Sequence, residues 1–157
     1  MQLSEEWVAG FVDGEGCFHV AFLKHPEMTV GYQVLPEFTV VQHERDKDVL
    51  YALKTFFKSG VVRRNHDDRW CFRIREREAL SSVCEFFLKH PLKTKKNVDF
   101  LKFRDIILRM ERKEHLTIEG VRGMVEIAME MNTGNREALL QVKKGLRDQA
   151  KIWSTPR

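Results

Sequence analysis

The sequence predicts an α+β fold in which two β-hairpins form one antiparallel sheet beside several helices. Three observations support this fold class. Apolar residues recur at helical spacing near the start, alternate with polar residues in four later segments, and return to helical spacing over the second half. The resulting order, αββαββα followed by extra C-terminal helices, favours an antiparallel over a parallel sheet.

The first helix is marked by its cap. Ser4 precedes Glu5 and Glu6, which is the pattern of an N-cap followed by an acidic first turn. We expect the helix to run to about residue 14 and to stop in the glycine-rich stretch at residues 14–16. Its apolar residues cover almost the whole circumference, so we expect it to be buried on more than one side.

The remaining elements follow from changes of hydrophobic period and from turn residues. We predict strands over residues 17–24 and 33–42, followed by a helix over 46–58 with Gly60 as the residue that terminates it. A second hairpin is predicted next, with strands over 61–65 and 69–75 joined by a turn at 66–68. Further helices are predicted over 79–89, 97–112, 117–131 with Thr117 as N-cap, and 137–153. No linker or repeat interrupts the pattern, so we expect residues 1–157 to form one domain.

Cysteine content and hydropathy narrow the class of protein. The 157 residues include three cysteines, an odd number without a Cys-x-x-Cys pair, which argues against a disulfide framework or a structural zinc site. The six histidines lack metal-ligand spacing. No stretch reaches the ~18 apolar residues of a membrane span. We therefore expect an intracellular protein that is neither secreted nor membrane-bound.

Charge is distributed unevenly along the chain, although the net charge is only +4. Residues 1–16 carry four acids and no base, residues 58–77 carry seven bases against three acids, and residues 89–96 carry four lysines and no acid. Two basic segments of this kind indicate a surface for a polyanion. The alternative is a charged face that is merely solvated, and charge alone leaves both open.

Residues 8–16, Val-Ala-Gly-Phe-Val-Asp-Gly-Glu-Gly, resemble the signature of the LAGLIDADG homing endonucleases. Ala9, Gly10, Asp13 and Gly16 match the name letter for letter, and the other positions are conservative replacements. The lysine-rich run at residues 93–96 is also similar to the family. The resemblance implies the αββαββα core, a saddle-shaped sheet and binding of double-stranded DNA.

The acids of this motif are the candidate catalytic residues. Carboxylates delivered by a packing helix into an otherwise basic protein are suited to hard cations, and Mg²⁺ prefers carboxylate, carbonyl and water oxygens. The resemblance implies that Glu15 and the Gly14 carbonyl bind Mg²⁺, whereas Asp13 is structural. It also implies catalytic roles for Gln42 and for Lys95. Where the family has a basic residue of the water pocket, this sequence departs from the pattern and has Asp46, so the neighbouring Arg45 is the candidate for that role. A plain solvated lysine is the alternative for Lys95.

Gly10 and Gly14 lie four residues apart and form a strip without side chains, where another helix can approach closely. Glycine in a helix interior costs about 0.5–1 kcal/mol relative to alanine, so two of them indicate a packing role. The partner helix belongs either to a second copy or to the same chain. Because the motif occurs once, we predict a homodimer. Its predicted interface consists of Trp7, Gly10, Phe11, Asp13 and Gly14.

The sheet face opposite the core is the predicted DNA surface. If Val20, Phe22, Phe38 and Val40 face the core, the residues between them face outward. Arginine can bond guanine and asparagine can bond adenine, although a single arginine can also contact only phosphate. The predicted DNA-binding residues are His19, Ala21, Leu23, Gln33, Glu37, Thr39, Arg63, Asn65, Arg69, Cys71 and Arg73.

The resemblance implies a site-specific, metal-dependent homing endonuclease, intron- or intein-associated, that makes a staggered double-strand break. A two-fold protein implies a long pseudo-palindromic site. Two other classes stay open. The first is a non-cleaving nucleic-acid binder on the same fold, either a maturase acting on its host intron RNA or a DNA-binding regulator. The second is a protein-interaction module whose basic strands are only soluble faces.

Overall fold

The computed structural model describes residues 1–131 and 135–154. The helices are α1 (Glu5–Glu15), α2 (Lys47–Phe57), α3 (Arg77–Lys89), α4 (Lys96–Glu111), α5 (Ile118–Met129) and α6 (Arg136–Ser154). The strands are β1 (Gly16–Lys24), β2 (Tyr32–His43), β3 (Val61–His66) and β4 (Arg69–Ile74). Short 3₁₀ turns lie at Glu44–Asp46 and Glu114–Leu116. The predicted α+β class and element order are confirmed.

The four strands form one sheet in the order β1-β2-β4-β3. Strand β4 pairs antiparallel with both β2 and β3, so that Cys71 lies opposite Val41 on one side and Arg63 on the other. The predicted core residues of the first hairpin are confirmed. Val20, Phe22, Phe38 and Val40 are all buried, since alternate residues of a strand point to one face.

The chain divides into two compact units, Met1–His19 with Glu37–Leu101, and Val20–Pro36 with Lys102–Arg157. The expectation of a single domain stays a prediction. The first unit is built on an aromatic cluster in which Phe18 contacts Phe38, Phe87 and Phe100 at centroid distances of 5.2, 5.6 and 5.3 Å. Burial of each such ring contributes about 1.5–3 kcal/mol, so this cluster fixes the strands that carry the site.

The second unit, as far as the structure describes it, is built on two amphipathic helices. The side chain of Thr117 accepts a hydrogen bond from the Gly120 N–H at 3.0 Å, which confirms it as the N-cap of α5. Helix α5 buries Met124 and helix α6 buries Leu146, each at helical spacing from further core residues. No helix in the described ranges is both long and apolar enough to cross a membrane.

The ends of α2 and α1 differ in detail from the prediction. Helix α2 ends at Phe57, and the residue that terminates it is Lys58, which adopts the left-handed conformation with φ +54°, and not Gly60. Gly60, with φ +95°, instead fits where a Cβ would lie 2.6 Å from the Phe72 ring and 2.9 Å from the Arg73 carbonyl oxygen. Helix α1 extends one residue further than predicted and includes Glu15.

The second hairpin turns one residue later than predicted. His66 belongs to β3 and lies opposite Arg69, which leaves only Asp67, with φ +46°, and Asp68 in the turn. The pairing register shifts between Arg64 and His66, so Asn65 occupies an irregular position of the strand. His66, and not Asn65, is therefore the cross-strand neighbour of Arg69.

Candidate functional site

Glu15 lies at the C-terminal end of α1 with its side chain exposed. Its carboxylate oxygen accepts a hydrogen bond from the Gln42 side-chain amide, Nε2 to Oε2, at 3.2 Å. Gln42 lies near the end of β2, which pairs with β4 at this point. The structure thus brings together two residues, 27 positions apart in the chain, that are predicted separately from the sequence.

Asp13 ties α1 to the segment before α4. Its carboxylate accepts hydrogen bonds from the backbone N–H groups of Lys93 at 2.7 Å and Thr94 at 3.2 Å, and from the Thr94 hydroxyl at 2.6 Å. Partial burial raises the pKa of the Asp13 carboxyl, but these hydrogen bonds and the Lys96 charge outweigh it, so its pKa lies below the usual value. The predicted structural role of Asp13 agrees with these contacts.

Lys96, the first residue of α4, reaches back to the end of α1. Its ammonium donates to the carbonyl oxygens of Val12 and Gly14, each at 3.1 Å. The terminal carbonyls of a helix lack intrahelical partners and carry partial negative charge, so a cation is stabilising there. The Gly14 carbonyl, a predicted metal ligand, therefore has a lysine ammonium on it in this structure.

The two other predicted catalytic residues occupy different surroundings. Lys95 is exposed and precedes α4 directly, while its neighbour Lys96 makes the carbonyl contacts. Arg45 has a side chain that is 78% exposed and donates to Asp46 at 3.2 Å. The described hydrogen bonds and ion pairs do not join Arg45 to Glu15 or Gln42. Catalytic roles for both stay predictions.

The candidate metal ligands at the end of α1 are of the chemical type that hard cations prefer. The Glu15 carboxylate and the Gly14 carbonyl are both oxygen ligands at one solvent-accessible helix end. Among residues 1–131 and 135–154, no group of three or more acids, histidines or cysteines gathers at one place to hold a metal. Glu15 is the exposed carboxylate that one chain presents at this helix end.

A cluster of arginines occupies the outer face of β3 and β4. Burial, followed by the charges of Arg75 and Arg63, lowers the pKa of Arg73. Like charges held this close repel one another, and a phosphate would relieve that repulsion. Arg75, which the sequence analysis does not single out, also pairs with Glu37, Nε to Oε2, at 2.8 Å. Glu37 is therefore engaged in an ion pair within the chain.

The other predicted DNA-binding residues differ in accessibility. Exposed residues are Leu23, Gln33, Arg63, Asn65 and Arg69, whereas His19, Ala21, Glu37, Thr39 and Arg73 are half-buried. Cys71 is only 8% exposed, and its thiol donates to the Phe72 carbonyl oxygen at 3.4 Å. Its position between Arg63 and Val41 is on the predicted face, but its burial argues against a direct base contact.

The predicted dimer surface of α1 is open in the single chain. Apart from the adjoining residues and the local backbone of α1, no atom of the described residues lies within 4 Å of where a Cβ would stand at Gly10 or Gly14. Val8 and Val12 are the fully buried residues of the helix, while Trp7 stays 43% exposed and stacks on Phe11 with centroids 4.7 Å apart. One side of α1 is thus packed in the chain and the glycine side is not.

Sequence reasoning misses Lys96, Thr94 and Arg75. The run at residues 93–96 is recognisably basic, but three lysines in four residues give no period that separates one from another. Only the turn at Thr94 directs Lys96 towards α1, because the Thr94 hydroxyl accepts from the Lys96 N–H at 3.2 Å. Arg75 closes the predicted strand over residues 69–75 but follows the last residue of β4, and its ion pair with Glu37 depends on a distant strand that no local pattern shows.

Comparison with known proteins gives concordant matches. The family model described as LAGLIDADG endonuclease matches residues 8–107. The crystal structure of the homing endonuclease I-TnaI superposes with a TM-score of 0.92 at 62% identity, covering 94% of this chain and 100% of that one. I-SmaMI bound to uncleaved DNA in the presence of calcium ions superposes with a TM-score of 0.84 at 32% identity, covering 99% of this chain and 52% of that one.

Curated relatives agree. "Probable intron-encoded endonuclease 2" of Neurospora crassa is 29% identical over 140 residues, which cover 87% of this chain and 31% of the relative. The chain spans about a third or less of the first three such relatives. The family match covers well over half of the chain and includes both the end of α1 and the start of α4. The chain is a member of the LAGLIDADG endonuclease family.

Proposed function

We propose that the protein is a homing endonuclease that hydrolyses both strands of a long pseudo-palindromic DNA site as a Mg²⁺-dependent homodimer, leaving a staggered break. The observation that carries the proposal is the exposed Glu15 carboxylate at the end of α1, held by Gln42 beside the Gly14 carbonyl. A carboxylate fixed at an exposed helix end, in a chain with a basic sheet, is suited to hold a cation against a phosphate.

Each residue at the site has a role that its chemistry allows. Glu15 and the Gly14 carbonyl would hold Mg²⁺, which when bound activates water and neutralises charge at the scissile phosphate. Gln42 orients the Glu15 carboxylate through the 3.2 Å hydrogen bond. Lys95 faces solvent, where its ammonium can stabilise the extra negative charge of the phosphate. Arg45 would order water beyond this pair.

The relatives support DNA as the partner and two copies as the working form. I-SmaMI is described as bound to an uncleaved DNA target. This chain matches only about half of that protein, so two copies would supply a body of similar size. The open glycine side of α1 gives the second copy a place to pack. The relatives' names further support an intron-encoded protein. We propose that it works inside the cell, with intron RNA as a second candidate partner.

The test separates binding from cleavage. Cleaved sites are first selected from a randomised duplex library in Mg²⁺, and the selected duplex is then used with Glu15→Gln. This variant keeps the shape of the side chain and removes its charge, so we expect cleavage to fall by about 10³-fold or more. Binding to the same duplex in Ca²⁺ should persist, because the sheet makes most contacts.

Glu85→Gln, an exposed acid on α3, is the matched control and should cleave as the wild type does. Cleavage by Glu15→Gln at the wild-type rate would remove Glu15 from the mechanism. If the wild type binds a specific duplex but does not cut it in any divalent metal, the non-cleaving binder or maturase is the better description.

A further inference from the structure

Lys96 differs from the other lysines of the 93–96 run in that its side chain is tied into the fold. It is half-buried, and its ammonium bridges the Val12 and Gly14 carbonyl oxygens at 3.1 Å each. Val12 has a second donor, because its carbonyl also accepts from the Gly16 N–H that ends the helix. For the Gly14 carbonyl oxygen, Lys96 is the donor that the structure describes.

The backbone of Lys96 is fixed as firmly as its side chain. Its N–H donates to the Thr94 hydroxyl oxygen, which in turn donates to Asp13 at 2.6 Å. Complementary charges therefore join the C-terminal end of α1 to the N-terminal end of α4. The Asp13 carboxylate lies at the start of α4, and the Lys96 ammonium lies at the end of α1. Because its backbone N–H and its ammonium are both hydrogen-bonded within the fold, the Lys96 side chain has few alternative positions.

We propose that the Lys96 ammonium is a resident cation that occupies the Gly14 carbonyl in the metal-free protein and weakens the binding of a divalent metal until it is displaced. The inference rests on the proposed function, since it concerns the same oxygen that would ligate Mg²⁺. A divalent cation on that oxygen would lie beside the ammonium, and like charges so close repel each other strongly. Metal binding therefore requires the ammonium to leave.

This arrangement has a use for a nuclease that acts on a single site. A phosphate brought to the end of α1 offers the Lys96 ammonium an alternative anionic partner. Release of the Gly14 carbonyl would then follow DNA binding, and the protein alone would hold its metal weakly. Lys96 is accordingly a positioning residue that acts through the carbonyl, and its removal should tighten metal binding where a purely structural lysine would not.

The experiment measures Mn²⁺ binding to the 157-residue chain without DNA, by the electron paramagnetic resonance signal of free Mn²⁺. Lys96→Met removes the charge, and we expect the dissociation constant to fall by about tenfold or more. Lys96→Arg keeps a cation at the carbonyls and should bind Mn²⁺ as weakly as the wild type. Lys89→Met, which removes an exposed lysine charge at the end of α3, should change the constant by less than about threefold.

Two further variants keep the result interpretable. Lys96→Gln, which can still donate one hydrogen bond, serves if Lys96→Met does not fold, and it should show the same gain. In Glu15→Gln/Lys96→Met the gain should disappear, because the Glu15 carboxylate is needed for the site. Thermal unfolding of each variant is followed by circular dichroism, and a lower midpoint for Lys96→Met is expected from the lost carbonyl partners.

Unchanged or weaker Mn²⁺ binding in both neutral variants overturns the inference, as does a failure of every variant to bind Mn²⁺. A gain that persists in the double variant places the bound ion elsewhere and overturns it as well. None of these results depends on cleavage. The proposed function fails separately, if the wild type shows no metal-dependent cleavage of a selected duplex.

Discussion

Asp13 shows how much a single side chain contributes to the candidate site. Its carboxylate joins residues 80 and 81 positions away and receives hydrogen bonds from two backbone N–H groups and one hydroxyl. These donors lie just before α4, so a negative charge here also complements the start of that helix. Asp13 thereby determines where both Glu15, two residues later, and Lys96 are presented.

Asp13→Asn keeps the size of the side chain and removes its charge. Because hydrogen bonds to a charged group are worth about 1.5–3 kcal/mol, we expect the free energy of unfolding to fall by about 1–3 kcal/mol near pH 7. Urea denaturation measures this change. Asp48→Asn, an exposed acid in the first turn of α2, is the control and should cost less than about 1 kcal/mol.

The same carboxylate makes a prediction for pH. Folding lowers the pKa of Asp13, so its contribution to stability is complete above the pKa of the unfolded chain and is lost as the pH falls through the folded pKa. The stability difference between wild type and Asp13→Asn should therefore be constant from neutral pH to about 5 and shrink below about 4. A difference that grows in acid would contradict the direction of the shift.

At the scale of elements, the start of α5 depends on one glycine. A Cβ at Gly120 would lie 1.7 Å from the Glu114 carbonyl oxygen, which belongs to the adjoining 3₁₀ turn. At Gly123, one turn later in the same helix, the nearest atom is a flexible guanidinium nitrogen of Arg109 at 3.5 Å. The two glycines thus differ in what surrounds them, although both stand in a helix.

We expect Gly120→Ala to destabilise the protein by about 2 kcal/mol or more, because the backbone of the turn must shift. Gly123→Ala should instead stabilise it by about 0.5–1 kcal/mol through helix propensity. Thermal and urea unfolding of the two variants measure both values. Equal effects of the two substitutions would show that Gly120 is not packed against the turn as described.

The second hairpin carries the prediction for DNA binding. Arg63, Arg69 and Arg73 project from one face of β3 and β4, and each should weaken binding when replaced by alanine. An arginine that contacts a base should relax preference at one position, by about 1–3 kcal/mol. One that contacts only phosphate should lower the slope of log affinity against log salt by about one. Lys54→Ala, at an exposed position of α2, is the control.

Affinity and salt slope that stay unchanged in all three variants would mean that DNA binds another face. A base contact and a phosphate contact are separated by measuring each variant on the selected duplex and on an unrelated one. Loss on both duplexes indicates phosphate, and loss on the selected duplex alone indicates a base.

Most elements are predictable from the sequence because the spacing of apolar residues indicates which face of a helix or strand packs against the core. Strand β2 and helix α3 follow this rule, with predicted bounds within two residues of the observed ones. The errors fall where conformation depends on a distant neighbour. Gly60 resembles a helix terminator in the sequence. In the structure it has a positive φ and leaves no room for a Cβ beside the Phe72 ring of a later strand, and no local pattern shows this contact.

At the scale of the whole molecule, the open side of α1 predicts the oligomeric state. Beyond the local backbone of α1 and the residues adjoining Gly10, residues 1–131 and 135–154 place no atom within 4 Å of where its Cβ would stand, so Gly10→Leu should fold in the single chain. In a dimer packed through this strip, the added side chain would separate the helices. Sedimentation at micromolar concentration should give twice the chain mass for the wild type and a shift towards one chain mass for Gly10→Leu.

Thr55→Leu, at an exposed position of α2, adds a leucine elsewhere and should leave the dimer intact. A wild-type protein that sediments as one chain and still cleaves both strands would contradict the homodimer. Loss of dimer in Thr55→Leu as well would show that added apolar surface, and not the glycine strip, decides the result.

The candidate site is less predictable than the fold because its residues lie far apart in the sequence of the first unit. Glu15 and Gln42 are predicted through the motif and its resemblance, and the structure brings them within hydrogen-bonding distance. The lysine that donates to the α1 carbonyl oxygens is Lys96, and the sequence of residues 93–96 does not distinguish it from Lys95. That distinction needs the path of the chain between two helices.

If the sheet face binds DNA as proposed, the register of β2, β4 and β3 has a consequence for how specificity changes in evolution. Val41, Cys71 and Arg63 form one cross-strand row, and Thr39, Arg73 and Val61 form the next. Rows two residues apart are separated by about 6.6 Å along the strands, close to two base-pair steps of ~3.4 Å. A drifting target should therefore select compensating substitutions row by row, on three strands at once, and not along one strand.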